Sequence, residues 1–417
     1  MDSSGLVNRR WRARRRILAA ALLLATLALS SCNSDDNFCC VSVINVPNSI
    51  AIADVNGDGV PDLLVATTAN QGLYDNPGFA NVILNSKSSP GAFSPGVRYP
   101  STGYNPSSIA VGDLLGAGSL DMVVASVTGN VSIYLQGATP GTFQPAVNLT
   151  TGGAPNQVVI ADVDGDGKQD LVLADFNGNV IVLYQDAANP GQFSAPVPMP
   201  TGATTASVAV ADLNGDGAAD IVATGYDSNG NNGVVLVFYQ LPAQRRTFTK
   251  PASFPAGAGP QSVKVADMNG DALPDLVVAN FGPGSDGTGI PGVSILLQDA
   301  LKSGSFLAPA SYQTPGGSLD VAVGDLNGDG KPDVAVAGLA PTPSASISVL
   351  LQDPAHPGTL LAATSYPGFG QPLGVAIGDL NGDGLADIAA ADGSSATVML
   401  QISGKPGQFA PAVQVGQ

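Results

Sequence analysis

The chain has 417 residues, 44% of them hydrophobic and only 12% charged, a balance that excludes a disordered polymer and supplies apolar surface for a large core. Its 52 Gly and 32 Pro exclude a fold of long helices, and its 33 acidic residues are all Asp, a residue of turns and metal loops. A net charge of -17 excludes nucleic acid as a partner, because the phosphate backbone would be repelled.

Six of the 16 basic residues, Arg9, Arg10, Arg12, Arg14, Arg15 and Arg16, crowd the N-terminus ahead of an apolar run over 17–29 and then Leu29-Ser-Ser-Cys32. This is the pattern of an export signal, and its apolar run falls short of the about 20 residues of a membrane span. Leu-Ser-Ser-Cys resembles the lipobox of bacterial lipoproteins. The resemblance implies cleavage before Cys32, lipidation of its thiol, and residence as a lipoprotein at the outer membrane or cell surface. An ordinary secretory signal with an incidental Cys is the alternative, and Arg9-Arg10 also allows twin-arginine export. The expected divisions are a signal peptide over 1–31, lipidated Cys and tether over 32–45, and a folded domain over 46–417. Without the leader, 10 basic and 32 acidic residues remain, a formal charge of -22. Adjacent Cys39 and Cys40 in the tether can join only as a strained ring or with another chain, so they are incidental or a redox or dimer-linking pair.

From residue 54 onward the chain repeats itself. Asp54-Val-Asn-Gly-Asp-Gly-Val-Pro-Asp62 is followed by the divergent Asp113-Leu-Leu-Gly-Ala-Gly-Ser-Leu-Asp121, then by near copies at Asp162 to Asp170, Asp212 to Asp220, Asp267 to Asp275, Asp325 to Asp333 and Asp379 to Asp387. The first Asp residues are spaced 59, 49, 50, 55, 58 and 54 apart, a period in the range of propeller blades. An apolar strand precedes each loop (49–53, 208–211, 321–323) and another follows it (63–66, 171–174, 276–279). A third strand comes next (131–135, 180–184, 293–297, 347–351), and a weaker fourth follows Gly-x-Phe (143–147, 193–197, 409–413). Runs of β-branched residues bounded by Gly, Pro and Asn signal strands. Four strands repeated seven times predict an all-β, seven-bladed β-propeller of four-stranded antiparallel blades. Either 41–46 or 409–415 supplies the fourth strand at the seam.

Side-chain oxygens recur at loop positions 1, 3, 5 and 9, with glycines at 4 and 6 that let the backbone curl. A hard cation takes six to eight oxygens, and a tight loop can aim alternate side chains inward while the carbonyl at position 7 adds another. The expected ligand sets are Asp54, Asn56, Asp58, Val60 and Asp62; Asp162, Asp164, Asp166, Lys168 and Asp170; and Asp212, Asn214, Asp216, Ala218 and Asp220. Later in the chain come Asp267, Asn269, Asp271, Leu273 and Asp275; Asp325, Asn327, Asp329, Lys331 and Asp333; and Asp379, Asn381, Asp383, Leu385 and Asp387. The last ligand falls at position 9, whereas an EF-hand ends on a Glu at position 12, and strands rather than helices flank the loop, so an EF-hand is excluded. Leu115 and Ala117 displace two ligands in blade two, which is expected to hold no ion. Ala272 replaces the second glycine in blade five, which makes that site the weakest if its backbone needs a positive φ. The whole account is five to six Ca2+ ions.

These motifs resemble the FG-GAP and VCBS-type repeats, related to the integrin α-subunit propellers, over about residues 47 to 417. The resemblance implies a calcium ion between the first and second strands of each intact blade; such an ion is expected to act as a structural pin, with a direct bridge to a ligand as the alternative.

Length variation falls at the end of the ring away from the loops, in inserts over 70–80, 226–233, 281–292 and 339–345. Recognition residues favour such loops. Tyr74, Tyr104, Phe176, Tyr226, Asp227, Phe281 and Asp286 are the candidate partner residues there, although Phe176, Tyr226 and Phe281 could equally wedge adjacent blades. The inventory for catalysis is thin. The chain has one His, His356, in a Pro-Ala-His-Pro turn, no Glu, and cysteines confined to the tether, so a Cys/His nucleophile or zinc cluster has nothing to be built from. The function expected is an exported, lipid-anchored, calcium-binding scaffold of the adhesion type. It would be monomeric, would meet a surface protein or glycan, and would touch membrane only through its lipid. A glycan-binding lectin or a polysaccharide lyase or hydrolase on the same propeller is the alternative.

Overall fold

The computed structural model describes residues 44–70, 77–226, 233–282, 289–339, 346–392 and 395–416. Seven four-stranded antiparallel sheets follow one another along them, with no helix among the described residues, and form a seven-bladed β-propeller. Blade one contains Ile44–Ala53, Asp62–Asn70, Pro77–Ile83 and Val97–Tyr104. Blade three, a compact example, contains Pro155–Ala161, Asp170–Asp175, Asn179–Leu183 and Val197–Pro200. Each sheet runs in sequence order from its first strand to its fourth. The first strands touch their counterparts in both neighbouring blades around the ring, so they line its centre and the fourth strands form its outer edge.

The second strand shows why the apolar repeat closes into a ring. In blades two to five and in blade seven it is buried at every position, from Asp121–Ser126 to Asp387–Asp392. Alternate side chains of a strand point to opposite faces, so one strand feeds two cores. Val172 and Ala174 pack toward blade four with Ile221 and Phe238, while Leu171 and Leu173 pack toward blade two with Val123 and Ile133. Each such fully buried aliphatic side chain contributes about 1.5–3 kcal/mol relative to exposure, and only a neighbouring blade on each face provides that burial.

The ring closes by packing rather than by strand exchange. Val413–Val415 pairs with Ser395–Met399 as the fourth strand of blade seven, while Ile44–Ala53 is one continuous first strand of blade one with a register shift between Pro47 and Ser49. Residues 44–46 are thus the start of the innermost strand, not an outer strand awaiting a partner. Ile50, Leu63 and Val65 of blade one meet Leu380, Ala389 and Val398 of blade seven in a shared core.

The fourth strands also differ from expectation. They begin later, at Val147, Val197 and Val413, and the preceding Phe143, Phe193 and Phe409 instead make isolated bridges to Gln136, Gln185 and Gln401. The aromatic ring explains the shift. Phe143, Phe306 and Phe409 turn edge-on to Tyr99, Phe254 and Tyr366 of the preceding blade, at centroid distances of 5.5, 5.2 and 5.4 Å. Such pairs add about 0.5–1.5 kcal/mol to the burial itself, so Phe serves the junction and the outer strand starts beyond it.

Candidate metal loops and the opposite end of the ring

Each acidic loop joins the first and second strands of its blade, and hydrogen bonds inside it follow one grammar. The first Asp takes the backbone N–H of position 6 on its Oδ2, as in Gly59 to Asp54 at 2.7 Å and Gly330 to Asp325 at 2.7 Å. Its Oδ1 takes the N–H of position 5. The oxygen at position 3 accepts from position 5, as in Asp216 N–H to Asn214 Oδ1 at 2.9 Å, and Oδ1 at position 5 accepts from position 7, as in Leu385 N–H to Asp383 at 2.9 Å. These Asx turns curl the loop around its own carboxylates. Gly57, Gly59 and their counterparts have positive φ, which lets the backbone turn without Cβ strain. Ala272 holds φ 66° at the same place, so the condition attached to blade five is met: this position does require the left-handed region.

The aspartate at position 9 behaves differently. Asp62, Asp121, Asp170, Asp220, Asp275, Asp333 and Asp387 are all completely buried. Their Oδ2 accepts the N–H of position 2, from Val55 at 3.1 Å to Met268 at 2.8 Å. Their Oδ1 accepts the N–H of a residue just beyond the third strand: Asn85, Gln136, Gln185, Gln240, Gln298, Gln352 or Gln401, at 2.7–2.8 Å. Burial, opposed by these two hydrogen bonds and reinforced by the loop's other aspartates (positions 5 and 1, but Asp164 and Asp166 at positions 3 and 5 in blade three), pushes Asp62, Asp170, Asp220, Asp275, Asp333 and Asp387 up to about 6. Burial likewise raises Asp121, in the blade that lacks the middle ligands. Position 9 is therefore a staple between the loop and the third strand whatever else it does.

The same Gln residues bridge blades. The side-chain amide of Gln352 donates to Met268 O at 2.7 Å, Gln298 to Leu213 O at 3.0 Å, and Gln401 to Leu326 O at 2.7 Å, each reaching the buried position 2 of the preceding loop. Gln136 and Gln240 do so to Val55 and Val163. Asn85 makes the equivalent bond to Leu380 O at 2.7 Å and so joins blade one to blade seven. Gln185 donates instead to Gln169 O of its own blade. Sequence reading missed these amides. The recoverable signal is a Gln followed seven or eight residues later by Phe or Leu, as in Gln185 and Phe193, Gln298 and Phe306, or Gln352 and Leu360.

The donor set of six loops is all oxygen: carboxylates at positions 1, 5 and 9, an amide or carboxylate at 3, and a carbonyl at 7. That chemistry fits a hard divalent cation. In blade three, carboxylate oxygens of Asp162, Asp164 and Asp166 lie within 4.8 Å of one another. In blade two, Leu115 and Ala117 offer no side-chain oxygen, yet Asp113 still accepts from Ala117 and Gly118, and Asp121 from Leu114.

At the other end of the ring the second strands finish and one blade leads to the next. Tyr104 is exposed there at 42%, whereas Phe176 and Phe281 are half-buried. Tyr226 is only 4% exposed and bridges to Thr204 beside the first strand of its blade, so its ring is not offered to a partner. Burial of a large apolar surface outweighs display at that register. Tyr74, Asp227 and Asp286 lie outside the described residues, as do Cys32, Cys39 and Cys40. His356 is an exposed turn residue whose Nδ1 meets Asp353 Oδ2 at 2.8 Å.

The pattern of the FG-GAP-like repeat matches residues 54–124, 113–173, 162–223 and 273–336, which together span more than half of the chain. Three of these segments open on a loop's first Asp: Asp54, Asp113 and Asp162. No curated protein sequence matches the chain. Among solved structures, the chain is similar to BBS1N in complex with ARL6DN, with 12% identity, 87% of this chain and 94% of that one covered, and a TM-score of 0.53. It is also similar to a putative 6-phosphogluconolactonase from Bacteroides fragilis, with 14% identity, 91% and 97% covered, and a TM-score of 0.54. At these identities the likeness is one of fold.

Proposed function

The chain belongs to the FG-GAP-like repeat family, and from that premise we propose that it is an exported, lipid-anchored propeller that scaffolds or adheres to another surface component, with calcium rigidifying its loops. The observation that supports this reading is the division of the ring into two ends. One end carries six loops with a single hydrogen-bonding grammar and an all-oxygen donor set, a design suited to holding ions and fixing strands. The other end carries connections of unequal length on the same rigid frame, the usual site of recognition. BBS1N in complex with ARL6DN shows that a ring of this fold can present itself to a protein partner.

Calcium acts here as a pin. Several carboxylates crowd each loop, and without a cation their repulsion loosens the first and second strands. Cys32 supplies the anchor. The test is capture of cell-surface components by the calcium-loaded protein, comparing wild type with Tyr104→Ala and with replaced connections over 226–233 and 281–292. Loss of capture in these variants, with unchanged melting temperature, supports the reading. Full retention in every variant refutes it. Metabolic lipid labelling that persists in Cys32→Ser refutes the anchor.

A further inference from the structure

Blade three is the one intact blade with Asp rather than Asn at loop position 3, and among the described residues its loop is the one that a guanidinium covers. Arg246 reaches from blade four, and its Nη2 lies 2.5 Å from Asp164 Oδ2. Asp164 is 3% exposed and Arg246 48%. Arg245 beside it donates to Gly165 O in the same loop.

The place Arg246 occupies makes the pairing informative. In the other six blades the turn between the third and fourth strands carries a positive-φ glycine, Gly91, Gly141, Gly191, Gly304, Gly358 or Gly407. These glycines back onto position 3 of the preceding loop: a Cβ added at Gly141 would lie 3.0 Å from Asn56 Cβ, one at Gly304 3.1 Å from Asn214 Cβ, and one at Gly358 3.0 Å from Asn269 Cβ. Counting six residues from Gln240, as Gly191 is six from Gln185, gives Arg246, which keeps the left-handed backbone at φ 65°. A non-glycine residue there is strained, so the side chain must serve a purpose that offsets the strain. Its ring partner is fixed too, since the guanidinium carbon sits 4.4 Å over Tyr184 of blade three.

The atoms of Asp164 divide as those of an Asn do. Its Oδ1 accepts the Asp166 N–H at 3.1 Å, as Asn214 Oδ1 accepts that of Asp216. Its Oδ2 stands where the amide nitrogen would be, and this oxygen holds Arg246. We propose that Arg246 is a built-in counter-charge which converts the four-carboxylate loop of blade three into the electrostatic equivalent of the three-carboxylate loops, setting its affinity for a divalent cation level with theirs. The inference rests on the calcium reading above. Oδ1 remains available to the ion, and the guanidinium cancels the additional charge while clamping blade four onto blade three.

The test is isothermal calcium titration of the full chain and of Arg246→Gly, Asp164→Asn and the double variant, with Asp166→Ala identifying the blade-three site by its loss. Arg246→Gly installs the residue the other six turns use, and the double variant reproduces their whole arrangement, so folding is protected. One unit charge released about 6 Å from a divalent ion in a solvent-like dielectric tightens binding about tenfold. The expected results are a tenfold gain at that site alone in Arg246→Gly, a comparable loss in Asp164→Asn, and return to the wild-type level in the double variant. If the other loops bind calcium while blade three is unchanged or weakened by Arg246→Gly, Arg246 is a structural clamp and the inference fails. Absence of binding at every loop overturns the calcium reading and this inference together.

Discussion

Replacing Asp121 by Ala isolates the stapling role of position 9, because blade two has no competing set of ligands. The change leaves two buried donors without acceptors, the Leu114 N–H now 3.1 Å from Oδ2 and the Gln136 N–H now 2.8 Å from Oδ1. Each orphaned buried donor costs about 1–3 kcal/mol, or about 4 kcal/mol for the pair. Burial disfavours ionised Asp121, so removing the carboxylate returns part of that cost and the expected loss is about 3 kcal/mol. For a ring of this size melting as a unit, the unfolding entropy is about 0.8 kcal/mol per kelvin, which converts the loss to a fall of about 4 °C. Thermal melts of wild type and Asp121→Ala, each in chelator and in calcium, read it. The fall should be equal in both conditions, since blade two offers no oxygen at positions 3 and 5. An unchanged melting temperature, or a fall confined to calcium, refutes the stapling account.

Ala272→Gly should stabilise the protein by about 1 kcal/mol by relieving φ 66° and should tighten calcium binding at the blade-five loop, as a melt and a calcium titration would show. Gln352→Leu should cost about 2 kcal/mol in urea unfolding, because it leaves the buried Met268 carbonyl without its donor at the junction of blades five and six. In chelator, Asp62, Asp170, Asp220, Asp275, Asp333 and Asp387 titrate near 6 when folded, against the ordinary carboxylate value of 3.8 when unfolded. The folded state then binds more protons between these values, so cation-free stability should rise as pH falls from about 6.5 to about 4.5, whereas calcium, which favours the ionised form, should flatten or reverse that trend. Melting temperatures across this range in both conditions decide it.

The seven repeats and their strand order were legible because Asp, Asn and Gly at fixed loop positions are demanded by local backbone geometry, and local demands leave local signals. Gln298 and Gln352 are marked only by the Phe306 and Leu360 that follow them eight residues on. A Gln after an apolar strand reads as a strand end meeting water, and its burial depends on a carbonyl 85 or 84 residues away in the preceding blade. The outer strands were misplaced for a related reason: Phe143 and Phe409 look like strand residues but are spent on the junction with Tyr99 and Tyr366. Tyr226, from its place after a strand, reads equally as a partner residue or as a wedge between blades, and the bridge to Thr204 with its 4% exposure decides for the covered place. At the seam, Asn85 takes the part of Gln with a shorter side chain, which breaks the Gln repeat at the point where the ring closes.

The most direct test of the account is isothermal calcium titration of the protein, with thermal melts in chelator and in calcium. Five or six ions per chain, none lost in Asp121→Ala, and a large rise in melting temperature are the predicted result, since an ion that binds only the folded loops must stabilise them. Little binding and no shift would contradict it and would leave the aspartates as hydrogen-bonding staples alone.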